Sequence, residues 1–220
     1  MHRGRRTAGV LFSLSLLTIL IACGSGSARI RLINADPSQS GLDLLIDGKT
    51  VASAVAYGSA SGYSSVSSGS RHLQVEASGT SNAISDQTIS LSSASDNSVL
   101  FTNSGAMILS DNNSAPSSGN VSFRVINAAS SLGTADVYVV ATGTNLATVS
   151  PTFSSLTFPS ASAYTTVAAG SYQIIFTLPG QKFGRITSSS LVFSSGQVRT
   201  IIGLNGQTGG FTVGVLSDLN

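Results

Sequence analysis

The chain repeats itself. RIRLINADPSQSGLDLLIDG from Arg29 returns as VSFRVINAASSLGTADVYVV from Val121, with Asn34 and Asn127, Ala35 and Ala128, and Asp43 and Asp136 each 93 positions apart. Farther along, SGYSSVSSGSRHLQV from Ser61 returns as SAYTTVAAGSYQIIF from Ser162, and here Tyr63 and Tyr164, Val66 and Val167, and Gly69 and Gly170 are 101 apart. The growing offset places an insertion of eight residues between Asp136 and Tyr164. The ends agree as well, ILSDNN from Ile108 with VLSDLN from Val215. A duplication of this length makes each copy a unit with its own core. The expected division is therefore residues 29–112 and 121–220, joined by a linker at 113–120, NSAPSSGN, made of turn-forming residues.

Each unit reads as short strands. In RIRLIN, Ile30 and Leu32 alternate with Arg29 and Arg31, the period of a half-buried strand. LDLLIDGKTVAS is a strand, a two-residue turn at Asp47-Gly48 and a returning strand; glycine suits a type I′ turn, which needs positive φ at both central positions. In SRHLQVEA, Leu73, Val75 and Ala77 point one way and His72, Gln74 and Glu76 the other. Roughly seven such strands per unit, separated by turn signals, predict an all-β fold: two tandem immunoglobulin-like antiparallel β-sandwiches.

The N-terminus carries an address. Arg3, Arg5 and Arg6 precede an apolar run from Val10 to Ala22, the order of a secretory signal helix. At 13 residues the run is shorter than the roughly 20 needed to span a bilayer, so 1–22 reads as a removed signal peptide. Leu20, Ile21, Ala22 and Cys23 resemble the bacterial lipobox, which implies lipid on the sulfur of Cys23, the only cysteine. Two or three acyl chains make a lasting membrane anchor where one holds only marginally. Residues 23–28 then read as a flexible tether. Gly24, rather than Asp, resembles lipoproteins sorted to the outer membrane where a cell has two membranes.

With the signal removed, 8 basic residues face 9 acidic ones, a net charge of −1, and no basic cluster of the kind nucleic acid requires is present. Charged residues are 9% of the chain and no disulfide can form, so stability must come from apolar burial and backbone pairing.

INADP at Ile33–Pro37, LDLLIDGK at Leu42–Lys49 and VSSGS at Val66–Ser70 resemble the bacterial domain-of-unknown-function family 4397, whose repeats occur in secreted and anchored proteins. The second unit keeps INA at Ile126–Ala128, ADVYV at Ala135–Val139 and VAAGS at Val167–Ser171, without the proline and the Asp-Gly turn. The resemblance implies a β fold and carries no activity and no catalytic residues.

The residues offer little chemistry. His72 is the only histidine after the signal and lies on the outward face of a strand, a surface position more than a general base. No nucleophile elbow, dinucleotide fingerprint or phosphate loop occurs. No cofactor is expected. Asp43 and Asp136 recur singly at strand starts, where an Asp bonds backbone N–H groups; a calcium role would need Asp36, Asp43 and Asp47 to converge. Asn34 and Asn127, between strand and turn, read as satisfying local backbone. Two loops are candidate contact surfaces. One is the insertion from Ala141, with Phe153; the other is LPGQKFGR, where Lys182, Phe183 and Arg185 sit at a hairpin tip and an aromatic flanked by cations can stack on a sugar or hold an anionic partner. The expected protein is a lipid-anchored, non-enzymatic module of the cell envelope, a two-domain stalk whose partner is a glycan or an envelope protein. A purely structural spacer, or a hydrolase, are the alternatives.

Overall fold

The computed structural model describes residues 26–219. The signal segment, Cys23 and the start of the tether lie outside them. The first unit holds eight strands: β1 (Ser27–Asn34), β2 (Gly41–Ile46), β3 (Lys49–Ala56), β4 (Ser64–Ser67), β5 (Gly69–Ala77), β6 (Ala83–Leu91), β7 (Asp96–Thr102) and β8 (Gly105–Asp111). The second begins with β9 (Asn120–Ala128) and β10 (Ala135–Val140). A 3-10 turn (Leu146–Thr148) follows, then β11 (Phe153–Leu156), β12 (Ser160–Ala161), β13 (Thr165–Ala168) and β14 (Gly170–Thr177). It ends with β15 (Gly184–Thr187), β16 (Leu191–Phe193), β17 (Val198–Asn205) and β18 (Phe211–Leu219). The class is the all-β sandwich that the strand spacing predicts, with eight strands rather than seven in the first unit. β1 already starts inside the expected tether, since Ser27 and Ala28 pair with Ser67 and Val66.

Each unit is two sheets face to face. In the first, order β4-β1-β7-β8 covers order β3-β2-β5-β6. In the second, β9 joins β12, β13 and β17, with β18 at the edge, over a sheet of β11-β10-β14-β15 with β16 also on β14. Within this frame one pair per unit runs parallel, β1 with β7 and β9 with β17. The β2–β3 hairpin turns at Asp47 and Gly48, whose φ values of 51° and 74° supply the positive angles that the turn requires. In the second unit the insertion replaces this two-residue turn, occupying the connection from β10 to β11 with the 3-10 turn in it.

The strand β1 is buried on both faces, which its alternation alone does not reveal. Ile30 and Leu32 enter the first sandwich core. Arg31, Ile33 and Ala35 point the other way and are also buried. The reason is a second unit lying against them. Ile33, Ala35 and Leu100 pack with Ile126, Ala128, Ile202, Leu204 and Leu216 in one cluster between the sandwiches. The two units are therefore stacked sheet on sheet into four layers instead of extending as a stalk. Gly214 on β18 makes room for one of these side chains, since a Cβ there would lie 2.9 Å from Ile202 Cγ2 on the neighbouring strand.

Beside this apolar patch lies a charged one. Arg31 donates to Asp218 of the second unit at 2.6 Å, and Arg124 donates to Asp111 of the first unit, also at 2.6 Å. Each guanidinium thus makes its shortest ion pair with a carboxylate of the other sandwich, and Arg31 Nε lies 3.8 Å from Asp111 of its own. The supporting groups recur within each unit. Arg31 Nε donates to Ser98 and Arg124 Nε to Thr200, while Ser98 donates to Asp111 and Thr200 to Asp218. Tyr63 and Tyr164 donate to Asp111 and Asp218 respectively, and their rings lie 4.7 Å and 5.0 Å from the guanidinium carbons of Arg31 and Arg124. Burial pushes both phenols well up, so they remain protonated donors. Burial pulls the Arg31 guanidinium down, but Asp218, Tyr63 and Asp111 outweigh it and the net shift is upward.

A buried ion pair is a weak source of net stability but costly to break, because removing one partner strands a charge. Burial of the interface Ile and Leu side chains, at about 1.5–3 kcal/mol each, drives association, and the crossed pairs set its register. Arg31→Met should accordingly destabilise the protein by about 3–5 kcal/mol in urea unfolding, and adding Asp218→Leu should recover part of the loss. A single variant within about 0.5 kcal/mol of wild type, the range of ordinary surface changes, would contradict the arrangement.

Candidate functional site

The hairpin from β14 to β15 has a counterpart between β5 and β6, and the comparison isolates what is special about it. Both turns close in the same way: Gln181 N–H donates to Leu178 at 2.9 Å, and Thr80 N–H donates to Ala77 at 3.0 Å. Each has a glycine in the left-handed region, Gly180 at φ 72° and Gly79 at φ 81°. The side chains differ completely. Where the first unit has small and polar residues from Ala77 to Ala83 followed by Ile84, the second has LPGQKFGR.

Two braces hold this second hairpin. Asp136 on β10, buried, accepts the Gly180 N–H and the Ser155 N–H at 2.8 Å each. Asp43 in the first unit accepts from Ala54 N–H at 2.7 Å and from the Ser78 hydroxyl at 2.6 Å. Ala54 and Ser155 both have positive φ, at 51° and 53°, so the recurring aspartate secures a strand irregularity in each unit. The other brace exists only in the second unit. Lys182 Nζ donates to Tyr138 Oη at 3.0 Å and to the Val149 carbonyl at 2.8 Å, with the Tyr138 ring centroid 5.0 Å away. Tyr138, Leu146 and Ile175 pack under it, with Val140 and Val149 at the margin, so the insertion serves as a buttress for the hairpin.

What these braces present is an aromatic ring in solvent. Phe183 is 81% exposed, and it lines a cleft of about 390 Å³ with Leu178, Pro179, Gln181 and Arg185. The register between β14 and β15 slips here, Thr177 facing Gly184 and Phe176 facing Ile186, which leaves Arg185 as the extra residue of a β-bulge. Bulges re-aim side chains, and this one sets Arg185 beside Phe183 along the cleft. Arg185 has no side-chain hydrogen bond or ion pair among the described residues.

Of the four contact residues expected from sequence, the structure brings Phe183 and Arg185 together. Lys182 faces away, into the brace. Phe153 is half-buried, with its ring edge-on to Phe123 at 6.2 Å, and packs at the margin of the second core. His72 Nε2 meets Asp86 at 2.6 Å on the exposed face of the first unit, and Gln74 donates to the same carboxylate. That hydrogen bond from His72 holds the Asp86 carboxyl below its ordinary range. Asp36, Asp43 and Asp47 are engaged separately, with Ser38, with Ala54 and Ser78, and with Arg71 and His72. Among the described residues no three His, Cys, Asp or Glu side chains converge on a metal position. Asn34 and Asn127 are fully buried, each donating to two backbone carbonyls and accepting one backbone N–H. Tyr138 and the bulge at Arg185 were not visible as site elements in the sequence. The change of side chains at the 101-residue offset locates the hairpin that carries Arg185, but not Tyr138, which matches Leu45 at the 93-residue offset.

Residues 28–138 match the family model described as Domain of unknown function (DUF4397), a span covering β1 to β9 and most of β10. Against the curated proteins the chain has no match. Among solved structures it is similar to the Bacillus anthracis TIE protein at 9% identity and a TM-score of 0.27, over 88% of this chain and 34% of that one. The chain thus spans about a third of the length of that protein. It is also similar to a carbohydrate-binding module of Eubacterium rectale solved in complex with maltoheptaose, at 10% identity, a TM-score of 0.29, and 88% and 98% coverage. A family 41 carbohydrate-binding module of a streptococcal virulence factor gives 12% identity, a TM-score of 0.30, and 86% and 97% coverage. At these values no reading of a ligand rests on the likenesses.

The braces and the ring should separate in their energetics. Asp136→Ala leaves two backbone N–H groups without their charged acceptor and should cost roughly 3 kcal/mol, whereas Phe183→Ala should stay within about 0.5 kcal/mol of wild type. Urea unfolding midpoints measure both; a large loss for Phe183→Ala would mean that the ring is structural.

Proposed function

The chain belongs to the family of the Domain of unknown function (DUF4397), and from that premise we propose that it is a lipid-anchored, non-catalytic binding module of the cell envelope. Cys23, after a short apolar run and at the end of Leu20-Ile21-Ala22-Cys23, supports an exported chain tethered by acyl groups. The single observation that supports binding is Phe183. An aromatic ring 81% in solvent, on a turn fixed by Asp136 and Lys182, contributes nothing to the core and is pre-organised to cover an apolar face of something else. A sugar ring, apolar on its faces and polar at its rim, fits a site of one aromatic, one amide and one guanidinium. An envelope protein is the alternative partner.

A single site of this kind binds weakly. Many copies tethered in one membrane, facing one polymer, would bind collectively. The test uses the full-length lipidated protein in detergent micelles, on a glycan array and in pull-downs from envelope extract, beside Phe183→Ala. Retention of a glycan or a protein that falls tenfold or more with Phe183→Ala supports the reading; retention of nothing by wild type would leave a structural spacer. For the anchor, Cys23→Ser should move the protein from the membrane to the soluble fraction. A wild-type N-terminus without acyl mass would overturn that part.

A further inference from the structure

Resting on that binding reading, we infer that the hairpin cleft takes an acidic sugar, a hexuronate unit of a polysaccharide, with its ring on Phe183 and its carboxylate on Arg185. The cleft has a net positive lining. Its residues are Leu178, Pro179, Gln181, Phe183 and Arg185, with no carboxylate among them. Arg185 is exposed and has no side-chain hydrogen bond or ion pair among the described residues. Among the arginines of the described residues that distinguishes it, while Lys49 on β3 is a second exposed cation with no side-chain hydrogen bond or ion pair there. Arg31 and Arg124 are committed to buried carboxylates, Arg29 pairs with Asp96 and Arg71 with Asp47, and Lys182 is held by a phenol and a carbonyl.

The geometry matches the ligand class. A guanidinium presents a planar fork of donors that fits the two oxygens of a carboxylate. A hexuronate carries its carboxylate at the rim of the ring, so a ring stacked on Phe183 turns that group toward the neighbouring arginine. The bulge places Arg185 at this position, because the residue is left out of the ladder between β14 and β15. Gln181, also in the lining, supplies amide donors and an acceptor for ring hydroxyls. At about 390 Å³ the cleft lies at the lower end of small-ligand sites, the size for a sugar unit or two. The first unit has Ile84 in place of Arg185 and Asn82 in place of Phe183, so the stoichiometry is one site per chain.

The test compares retention of the full-length protein in micelles on immobilised polygalacturonate, neutral dextran and poly-glutamate. Wild type should prefer polygalacturonate to dextran by about fivefold or more at low salt, with the preference falling as salt screens the exposed charge. Arg185→Gln should bring the ratio to about one, and Arg185→Lys should restore only part of it because the fork is lost. Phe183→Ala should lower retention on both glycans by about tenfold, a stacking loss at the scale of aromatic contacts. Unchanged urea midpoints establish that all three variants are folded. Equal retention on dextran would overturn the acidic-sugar inference and leave the binding reading standing. Retention on poly-glutamate as strong as on polygalacturonate and indifferent to Phe183→Ala would overturn it in favour of an acidic peptide. Retention on no glycan would overturn the inference, and the reading beneath it would then rest on the envelope pull-down alone.

Discussion

Everything in this molecule is arranged around an exchange of charge between two copies of one motif. Arg31 makes its 2.6 Å ion pair with Asp218 and Arg124 makes its own with Asp111, so the shortest ion pair of each arginine crosses to the other unit. In the interior of a protein an unpaired guanidinium or carboxylate is costly, and each sandwich would expose such a group if it stood alone. The apolar cluster around Ile33, Ile126 and Ile202 supplies the drive to associate. The crossed pairs determine that association occurs in one register, because a slip of two residues along either sheet, one position on the facing side, would oppose an arginine to the apolar cluster.

The duplication also separates scaffold from site. Features present in both units, among them the buried asparagines, the strand-securing aspartates and the tyrosines over the arginines, each have an identified structural partner. Features present in one unit are different in kind. The insertion between β10 and β11, Lys182 on Tyr138 and the exposed ring of Phe183 together build an object with no counterpart in the first unit. A rigid four-layer body is a suitable support for it, since the hairpin is anchored to a strand whose sheet is two layers from the interface.

How much of this the sequence discloses depends on distance along the chain. Turns and alternation are local, so the Asp47-Gly48 hairpin, the β-sandwich class and the local duties of Asn34 and Asn127 follow from neighbouring residues. The face of β1 that carries Arg31 looks solvent-directed by the same local logic, because alternation records polarity and is silent about what covers a polar face. Arg31 and Asp218 lie 187 positions apart, and only the matched ends ILSDNN and VLSDLN hint that the aspartates share a duty. The hairpin residues Phe183 and Arg185 stand out by composition. Their companions do not: Phe153, an exposed candidate by its loop position, is drawn against Phe123, and Lys182 is drawn back to Tyr138.

The central claim is that the two repeats form one cooperative body. Differential scanning calorimetry of the full-length protein tests it directly. The account predicts a single transition whose calorimetric and van't Hoff enthalpies agree for the whole chain. Two resolved transitions, each with the enthalpy of roughly half the chain, would show that the sandwiches unfold independently and that the crossed arginines do not bind them together.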